Sequence, residues 1–406
     1  MRYLTPKHHY YPGRTVILLI LACGLSAGVA GKAGAATPLD DEFKALFAPI
    51  PGAPPLDFDL ETMAVTGERL VAPTMLVPKI TGASLEDTPV IEFQVTDQFG
   101  LPVPGLRQGE NVEFSFTVSK LVPPRNGENA IWRTYIRVAD EGVPNAQGGT
   151  YSEGTLEGNG DGSYSFTFDR PLPDISGVFL NPQLTHRVGM EIRDAVLVDQ
   201  EVAGGDAVFD IKPATGETEG IRQKAVVKQE SCAACHGTEE FAFHGGPRQD
   251  VRFCVTCHQP GSRDVGSGNL MDFRVMIHKI HAGEELNRKP YQFCGFGCEN
   301  FGAPPDVFSD IGFPQDLRNC TTCHDPADPA TPQADNVNNR PTASVCASCH
   351  DRLGFDSNGL TNENDHHPGL AQPNTLCAEC HSEDGLIASV LDSHEIPERV
   401  AAGRFD

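Results

Sequence analysis

The stretch Cys232-Ala-Ala-Cys235-His236 is the first of five Cys-x-x-Cys-His motifs in the C-terminal half of this 406-residue chain. In such a motif two thiolates add to the vinyl groups of a porphyrin and the adjacent histidine binds the iron, which is the signature of c-type haem attachment. Zinc sites also use cysteines two residues apart, but tetrahedral zinc does not require a histidine after every second cysteine. The motifs therefore predict five covalently attached haems and a function in electron transfer. The predicted attachment cysteines and proximal ligands are Cys232, Cys235, His236, Cys254, Cys257, His258, Cys320, Cys323, His324, Cys346, Cys349, His350, Cys377, Cys380 and His381.

A second set of histidines in the same region can supply the opposite axial ligand of each iron. Two of them are adjacent in sequence and are predicted to provide one ligand between them, so five candidates remain for five haems. We predict bis-histidine ligation of at least four haems, which leaves those irons no position for nitrite or oxygen. The distal candidates are His244, His278, His281, His366, His367 and His394.

One of these stretches, residues 271–281, has the apolar periodicity of a helix. His278 and His281 are three residues apart, so their Cβ atoms lie about 5–6 Å apart on one helix face. Two such neighbours cannot easily bind opposite sides of one iron. Each is therefore predicted to serve a different haem, which brings two haems close together. Met271 and Met276 could also serve as axial ligands, but we predict that they pack within the helix environment instead.

The N-terminal half of the chain has a different residue pattern, typical of β-strands. Residues 65–225 lack cysteine and contain short alternating runs, such as 112–118 and 163–168, separated by Gly, Pro, Asn and Asp. This pattern predicts an antiparallel β-sandwich or Greek-key barrel. Residues 226–406 are predicted to form a pentahaem cytochrome c domain with short helices and little regular structure. Residues 37–64, rich in Pro and Asp, are predicted to be a linker.

Residues 1–36 are predicted to be an export signal, because basic residues precede a short apolar run at 15–22. Two endings are compatible with the sequence. A lipoprotein signal would end at residue 22 and leave an acylated Cys23, whereas a second small-residue stretch allows cleavage near Ala35. A lipid anchor at Cys23 is the membrane contact that the sequence suggests.

The overall charge is strongly negative, with 55 acidic and 31 basic residues and a net charge of −24. This argues against nucleic acid or an anionic membrane surface as a partner. Of the 13 cysteines, ten belong to the haem motifs and one lies in the signal region. Cys294 and Cys298 remain, and in an exported protein we predict a local disulfide between them. A redox-active pair or two free thiols are the alternatives.

Three stretches carry a resemblance to a known family. Met276-Ile-His-Lys-Ile-His-Ala-Gly283, the segment 313–324 around the third motif, and Phe243-His-Gly-Gly-Pro247 resemble the outer-membrane multihaem cytochromes of the OmcA/MtrC type. The resemblance covers residues 226–395. It implies bis-histidine haems with His244, His278 and His281 as distal ligands.

The same resemblance implies a cell-surface electron conduit in extracellular electron transfer. Such cytochromes pass respiratory electrons to metal oxides, soluble metals or flavins, and work with other multihaem cytochromes or an outer-membrane conduit complex. Family members typically contain two β-plus-pentahaem units, whereas this sequence has one, so partner cytochromes or self-assembly would extend the path. The family's disulfide belongs to a β domain, whereas Cys294 and Cys298 lie among the haem motifs.

Other functions remain compatible with the residues. A periplasmic electron relay would follow from a cleaved signal, and a β domain that only docks onto a surface or partner would leave the haems accessory. A multihaem reductase of a small nitrogen compound would need one open haem, for which His394 near the C-terminus is the weakest distal candidate. The sequence has no Cys-x-x-Cys-Lys motif of the kind that pentahaem nitrite reductases use. Electron transfer is favoured over enzymatic catalysis.

Overall fold

The computed structural model of the protein describes part of the chain and divides it into two compact units, Met1–Leu70 and Val71–Asp406. The predicted signal segment, including Cys23, and most of the predicted linker lie outside the described residues. In the first unit a short antiparallel hairpin joins β1 (Phe58–Asp59) and β2 (Ala64–Val65). The described residues are 58–59, 64–65, 73–125, 129–137, 148–176, 178–237, 244, 246–264, 266–295, 298, 302, 304–353 and 374–395.

The N-terminal part of the second unit contains two four-stranded antiparallel sheets. The first sheet has the order β3-β4-β8-β7 and the second has the order β12-β9-β5-β6, while β10 and β11 form a separate hairpin. The strands are β3 (Leu76–Ser84), β4 (Val90–Asp97), β5 (Glu113–Val122), β6 (Ile131–Thr134), β7 (Gly154–Gly158), β8 (Ser163–Phe168), β9 (His186–Arg193), β10 (Ala195–Leu197), β11 (Gln200–Val202) and β12 (Asp206–Ile211).

The two sheets share one apolar core, to which aromatic side chains from both contribute. The ring centroids of Phe93 and Phe114 lie 5.1 Å apart, and those of Phe116 and Phe166 lie 4.7 Å apart. All four rings are buried. These contacts join β4 and β8 of one sheet to β5 of the other. The predicted fold class, an antiparallel β-sandwich followed by a haem region with short helices, is confirmed.

The central strands of the second sheet, β5 and β9, are buried on both faces, unlike the strands of the first. Strand β4 alternates between buried and exposed residues, as a half-covered strand should, whereas residues 186–192 of β9 are all buried. The outer face of the second sheet is covered by helix α3 (Val251–Cys257) of the haem region, which packs on β5, β6, β9 and β12. The sandwich and the haem region are therefore packed together and share this surface.

The haem region consists of short helices joined by long irregular segments. Its largest described apolar cluster of fully buried residues contains only Ala282, Leu286 and Tyr291. No described helix has the length and apolarity needed to cross a bilayer. The remaining elements are α1 (Leu172–Ser176), α2 (Gln229–His236), α4 (Phe273–Ala282), α5 (Asn336–Asn339), α6 (Ala343–Cys349), α7 (Asn374–His381), α8 (Val390–Ser393), β13 (Gln292–Phe293), β14 (Asp306–Val307) and two 3₁₀ turns, Gly283–Glu285 and Cys320–Thr322.

The core of the sandwich contains a neutral histidine that makes its stability sensitive to pH. His186 is fully buried, with Nδ1 2.9 Å from the Leu184 carbonyl and Nε2 2.9 Å from the Tyr135 hydroxyl. Burial lowers the pKa of His186 from 6.5 to about 4. Below pH 6.5 the unfolded chain gains a proton that the folded chain does not, so stability is lost as the pH falls towards 4.

We expect the wild-type protein to lose about 2–3 kcal/mol between pH 7 and pH 4.5 through His186 alone. His186→Gln, which cannot be protonated, should be less stable at pH 7 but should lack this part of the pH dependence. Urea unfolding of both proteins, followed by circular dichroism of the sheets, measures the difference. Equal losses in the two proteins would show that another group is responsible.

Candidate haem-binding site

The structure places four of the five motif histidines next to four different distal candidates. The ring centroids in each pair are 5.9–6.2 Å apart. Two imidazoles on opposite sides of one metal, each with a bond of about 2 Å, have centroids separated by about 6 Å. The spacing of each pair therefore fits one iron between two rings. The pairs are His236 with His281, His258 with His244, His324 with His278, and His350 with His394.

Backbone carbonyls fix which nitrogen of several of these rings is available. Nδ1 of His278 lies 2.6 Å from the Arg274 carbonyl, and Nδ1 of His281 lies 2.8 Å from the Ile277 carbonyl. Nδ1 of His394 is 2.6 Å from the carbonyl four residues earlier, and Nδ1 of His258 is 3.0 Å from the Met271 carbonyl. An Nδ1–H that donates to a carbonyl leaves Nε2 as the metal-binding nitrogen and fixes the ring orientation. The donor set thus fits a haem iron.

Helix α4 carries two of the distal candidates, and residues at its two ends fix where it starts and stops. Asp272 caps its start by accepting from the Arg274 backbone N–H at 3.1 Å, and Gly283 ends it with φ of 29°. A Cβ at Gly283 would lie 2.0 Å from the Ile311 carbonyl oxygen, so that position requires glycine. His278 and His281 are one turn apart and face two different motif histidines. The predicted rival Met271 and Met276 are buried.

The cysteines of neighbouring motifs are close enough to influence each other electrostatically before haem attachment. Burial raises the pKa of the Cys323 thiol, and the nearby Cys235 of the first motif adds to the rise. In the same way, burial and then Cys320 raise the pKa of Cys349. Burial and then Cys377 raise the pKa of Cys346 to about 11. Motifs 1 and 3, 3 and 4, and 4 and 5 are therefore neighbours.

The second motif has a different environment, since its helix α3 is seated on the β-sandwich. Val251, at the start of α3, donates its backbone N–H to Gln229 Oε1 of α2 at 3.1 Å, so motif 2 also lies beside motif 1. On the sandwich side, the Thr134 N–H donates to Gln259 Oε1 at 2.9 Å, and the Gly148 N–H donates to the Cys257 carbonyl at 3.1 Å. Cys257 is only 8% exposed.

The backbone of β9 lies close to helix α3 where that helix packs on the sandwich. A Cβ at Gly189, in the middle of β9, would lie 2.8 Å from two ring carbons of Phe253 on α3 and 2.8 Å from Thr117 Cγ2. Sequence reasoning missed Gly189 and Gln259 as parts of the environment of the second motif. A glycine in a strand can signal close approach of another segment, but it does not identify that segment.

For the fifth motif, the structure describes the proximal histidine but not its distal candidates. Nδ1 of His381 lies 3.1 Å from the Ala388 carbonyl, and the two distal candidates predicted for it, His366 and His367, lie outside the described residues. Elsewhere, a disulfide joins Cys294 to Cys298. The ten motif cysteines are free of disulfides, as haem attachment requires.

Comparisons with known proteins agree with this geometry. Residues 224–395 match a family described as outer membrane cytochrome MtrC/MtrF-like, domains II/IV. The chain is 28% identical over 301 residues to the multiheme cytochrome MtrC of Shewanella baltica (strain OS185), a match that covers 73% of this chain and 38% of the relative.

Two solved structures are similar in fold. The outer membrane decaheme cytochrome OmcA matches with a TM-score of 0.62 at 27% identity, covering 80% of this chain and 49% of that one. MtrC from Shewanella baltica OS185 matches with a TM-score of 0.54 at 25% identity, covering 76% of this chain and 43% of that one. The chain thus spans less than half the length of these relatives.

Proposed function

We propose that the chain is a member of the OmcA/MtrC-type outer-membrane multihaem cytochromes and acts as a pentahaem conduit for extracellular electron transfer; the match of residues 224–395 to that family and the similar solved structures support this. The observation that supports this most is the set of four histidine pairs, each with the spacing of two axial ligands on one iron. An iron with two histidine ligands has no open position, so it exchanges electrons without binding a substrate. Like its relatives, the protein is exported to the outer membrane.

Each haem is assigned its own ligands in this proposal, numbered by motif. Haem 5 has His381 and either His366 or His367. The reductase alternative, with an open haem at motif 4, is disfavoured because His394 lies 5.9 Å from His350 with its Nδ1 bound to a carbonyl. The other assignments are haem 1 with His236 and His281, haem 2 with His258 and His244, haem 3 with His324 and His278, and haem 4 with His350 and His394.

The contacts between motifs support one order of electron passage, 2–1–3–4–5. Motif 2 lies beside motif 1 through the Val251–Gln229 hydrogen bond, and the cysteine neighbours connect the remaining steps. Helix α4 joins the middle of this path. It offers distal ligands to haems 1 and 3 and packs against α6, the helix of motif 4.

The proposed path needs a donor that delivers electrons at one end and an acceptor that receives them at the other. Other multihaem cytochromes or an outer-membrane conduit complex would deliver electrons, and metal oxides, soluble metals or flavins would receive them. Residues 65–225 would form the β domain and residues 226–406 the pentahaem domain. A lipid at Cys23 would hold the protein at the membrane, and the Cys294–Cys298 disulfide would persist in the oxidising exterior.

The ligand assignment is tested by EPR of the purified oxidised protein, with haem quantified as pyridine haemochrome on the same sample. We expect five haems per chain, all low-spin, since every iron has two histidine ligands. A high-spin signal from one haem in five would contradict the assignment and would call for tests with nitrite and hydroxylamine.

The conduit role is tested separately by mixing the fully reduced protein with a ferric chelate or an oxidised flavin without oxygen. All five haems should be reoxidised. A chain that reoxidises rapidly only in part, with the remaining haems staying reduced, would contradict a connected path.

A further inference from the structure

We propose that Arg248, held in place by Glu191 of the β-sandwich, raises the reduction potential of haem 2. This inference rests on the assignment of haem 2 to Cys254, Cys257, His258 and His244. It gives the sandwich an electrical role in addition to packing, because the residue that holds the cation belongs to strand β9.

The cation is fixed by a two-point ion pair that is shielded from water. Arg248 Nε lies 2.8 Å from Glu191 Oε2, and Arg248 Nη2 lies 2.9 Å from Glu191 Oε1. The Glu191 side chain is 1% exposed and the Arg248 side chain 18%. Arg193 Nη2 also contacts Glu191 Oε2, at 3.0 Å. Two cations thus share one buried carboxylate, and a bidentate pair of this kind has little freedom to move.

The Arg248 guanidinium lies beside the second motif. Its central carbon is 5.7 Å from the centroid of the Phe253 ring, and Phe253 directly precedes Cys254 on α3. The proposed distal ligand His244 precedes Arg248 by four residues, and its ring centroid lies 5.9 Å from that of the proximal His258. The guanidinium is therefore held close to both sides of the proposed haem 2 site.

The direction of the effect follows from the charge of the haem. A ferric haem carries one more positive charge than a ferrous haem, so a nearby fixed cation disfavours the ferric state and raises the potential. Two charges separated by several ångströms interact strongly where water is excluded, and dissolved salt screens them little. Arg248 therefore favours the reduced form of haem 2, and Glu191 limits the effect.

Other charged groups near motif 2 are paired or hydrogen-bonded. Asp272, which precedes helix α4, pairs with Arg274 at 2.7 Å. Asp250 is paired with Arg252 at 2.6 Å, which offsets its charge. The Asp206 carboxylate accepts from the backbone N–H groups of Gln249 and Asp250, both at 3.0 Å. Among the cations here, Arg248 is held by a nearly fully buried carboxylate and lies beside the Phe253 ring of the motif helix.

The test is an optical redox titration of the holoprotein, in which one haem contributes about a fifth of the absorbance change. In the Arg248→Gln variant, the absorbance change of one haem should move to lower potential. In the Glu191→Gln variant, the absorbance change of the same haem should move to higher potential. Arg248→Lys keeps the charge and should restore a value near that of the wild type. Arg107→Gln removes an equally charged but exposed residue of a sandwich loop, whose side chain is 71% exposed, and should shift nothing.

The haem that shifts is identified with His244→Met, because a methionine ligand raises the potential of the haem it binds. The haem whose potential changes in His244→Met must be the same haem whose potential changes in the Arg248 and Glu191 variants. The inference is overturned if Arg248→Gln and Glu191→Gln shift the potential in the same direction, if neither shifts it, or if all five haems shift together. Wild-type haem count and EPR separate this failure from a failure of the proposed function, because they report haem number and iron ligation and not reduction potential.

Discussion

Replacing His278 and His281 together by alanine is expected to convert two of the five haems to the high-spin state. Both side chains come from one turn of α4, and they pair with the proximal histidines of motifs 3 and 1. Loss of a sixth ligand leaves each iron five-coordinate or water-bound, which favours high spin. EPR of the oxidised variant should show a high-spin signal that accounts for about two-fifths of the haem. Each single variant should account for one-fifth.

His186→Gln is the control for this experiment, because His186 is a still more deeply buried histidine that lies in the sandwich core. Its spectrum should stay entirely low-spin. The double variant should also slow reoxidation of the haems by an external acceptor, since haems 1 and 3 lie in the middle of the proposed path. Retention of five low-spin haems in the double variant would show that α4 does not supply these ligands.

Gly189→Ala is expected to destabilise the protein by about 1–3 kcal/mol, the usual cost of forcing extra volume into a packed interior. The new Cβ would lie 2.8 Å from ring carbons of Phe253, so either α3 or strand β9 must move. A loss of this size is a substantial part of the total stability of a typical domain. Urea unfolding of the wild type and the variant measures it.

Phe253→Leu should rescue part of that loss, because the shorter side chain removes the ring carbons that the new methyl group meets. The double-variant cycle should therefore give a favourable coupling between the two positions. Gly158→Ala in strand β7 is the control. Its Cβ would meet only the edge of the Tyr164 ring, at 3.0 Å, and it should cost less. Simple additivity of Gly189→Ala and Phe253→Leu would show that the contact between β9 and α3 is not the cause.

The chemistry of the site could be read from the sequence, but the pairing of its ligands could not. The motif fixes which histidine is proximal, since the attachment cysteines hold it beside the porphyrin. The distal partner is fixed only by the tertiary fold. His281 pairs with His236 of the first motif, although the second motif lies between them in the chain. His394, the weakest candidate by position, lies next to His350.

Strand β9 shows a similar limit for the fold. Its sequence, His-Arg-Val-Gly-Met-Glu-Ile-Arg, alternates polar and apolar residues and is typical of a strand with one exposed face. In the structure the polar face is buried as well, because Arg187 pairs with Asp210 and Glu191 pairs with Arg248. The alternation is that of a strand, but it gives no sign that a helix from more than 50 residues later covers its polar side.

The burial of Cys257 against the sandwich also constrains how the protein is made. The enzyme that attaches haem must reach this thiol, yet in the folded protein Cys257 is 8% exposed and its Sγ lies 3.8 Å from the Gly149 carbonyl. The sandwich precedes the motif in the chain, so it leaves the export channel first. Under the proposed haem assignment, its outer sheet face would therefore stay uncovered until haem 2 is attached. Only then would α3 pack on β9, so haem attachment at the second motif would set the order in which the protein folds.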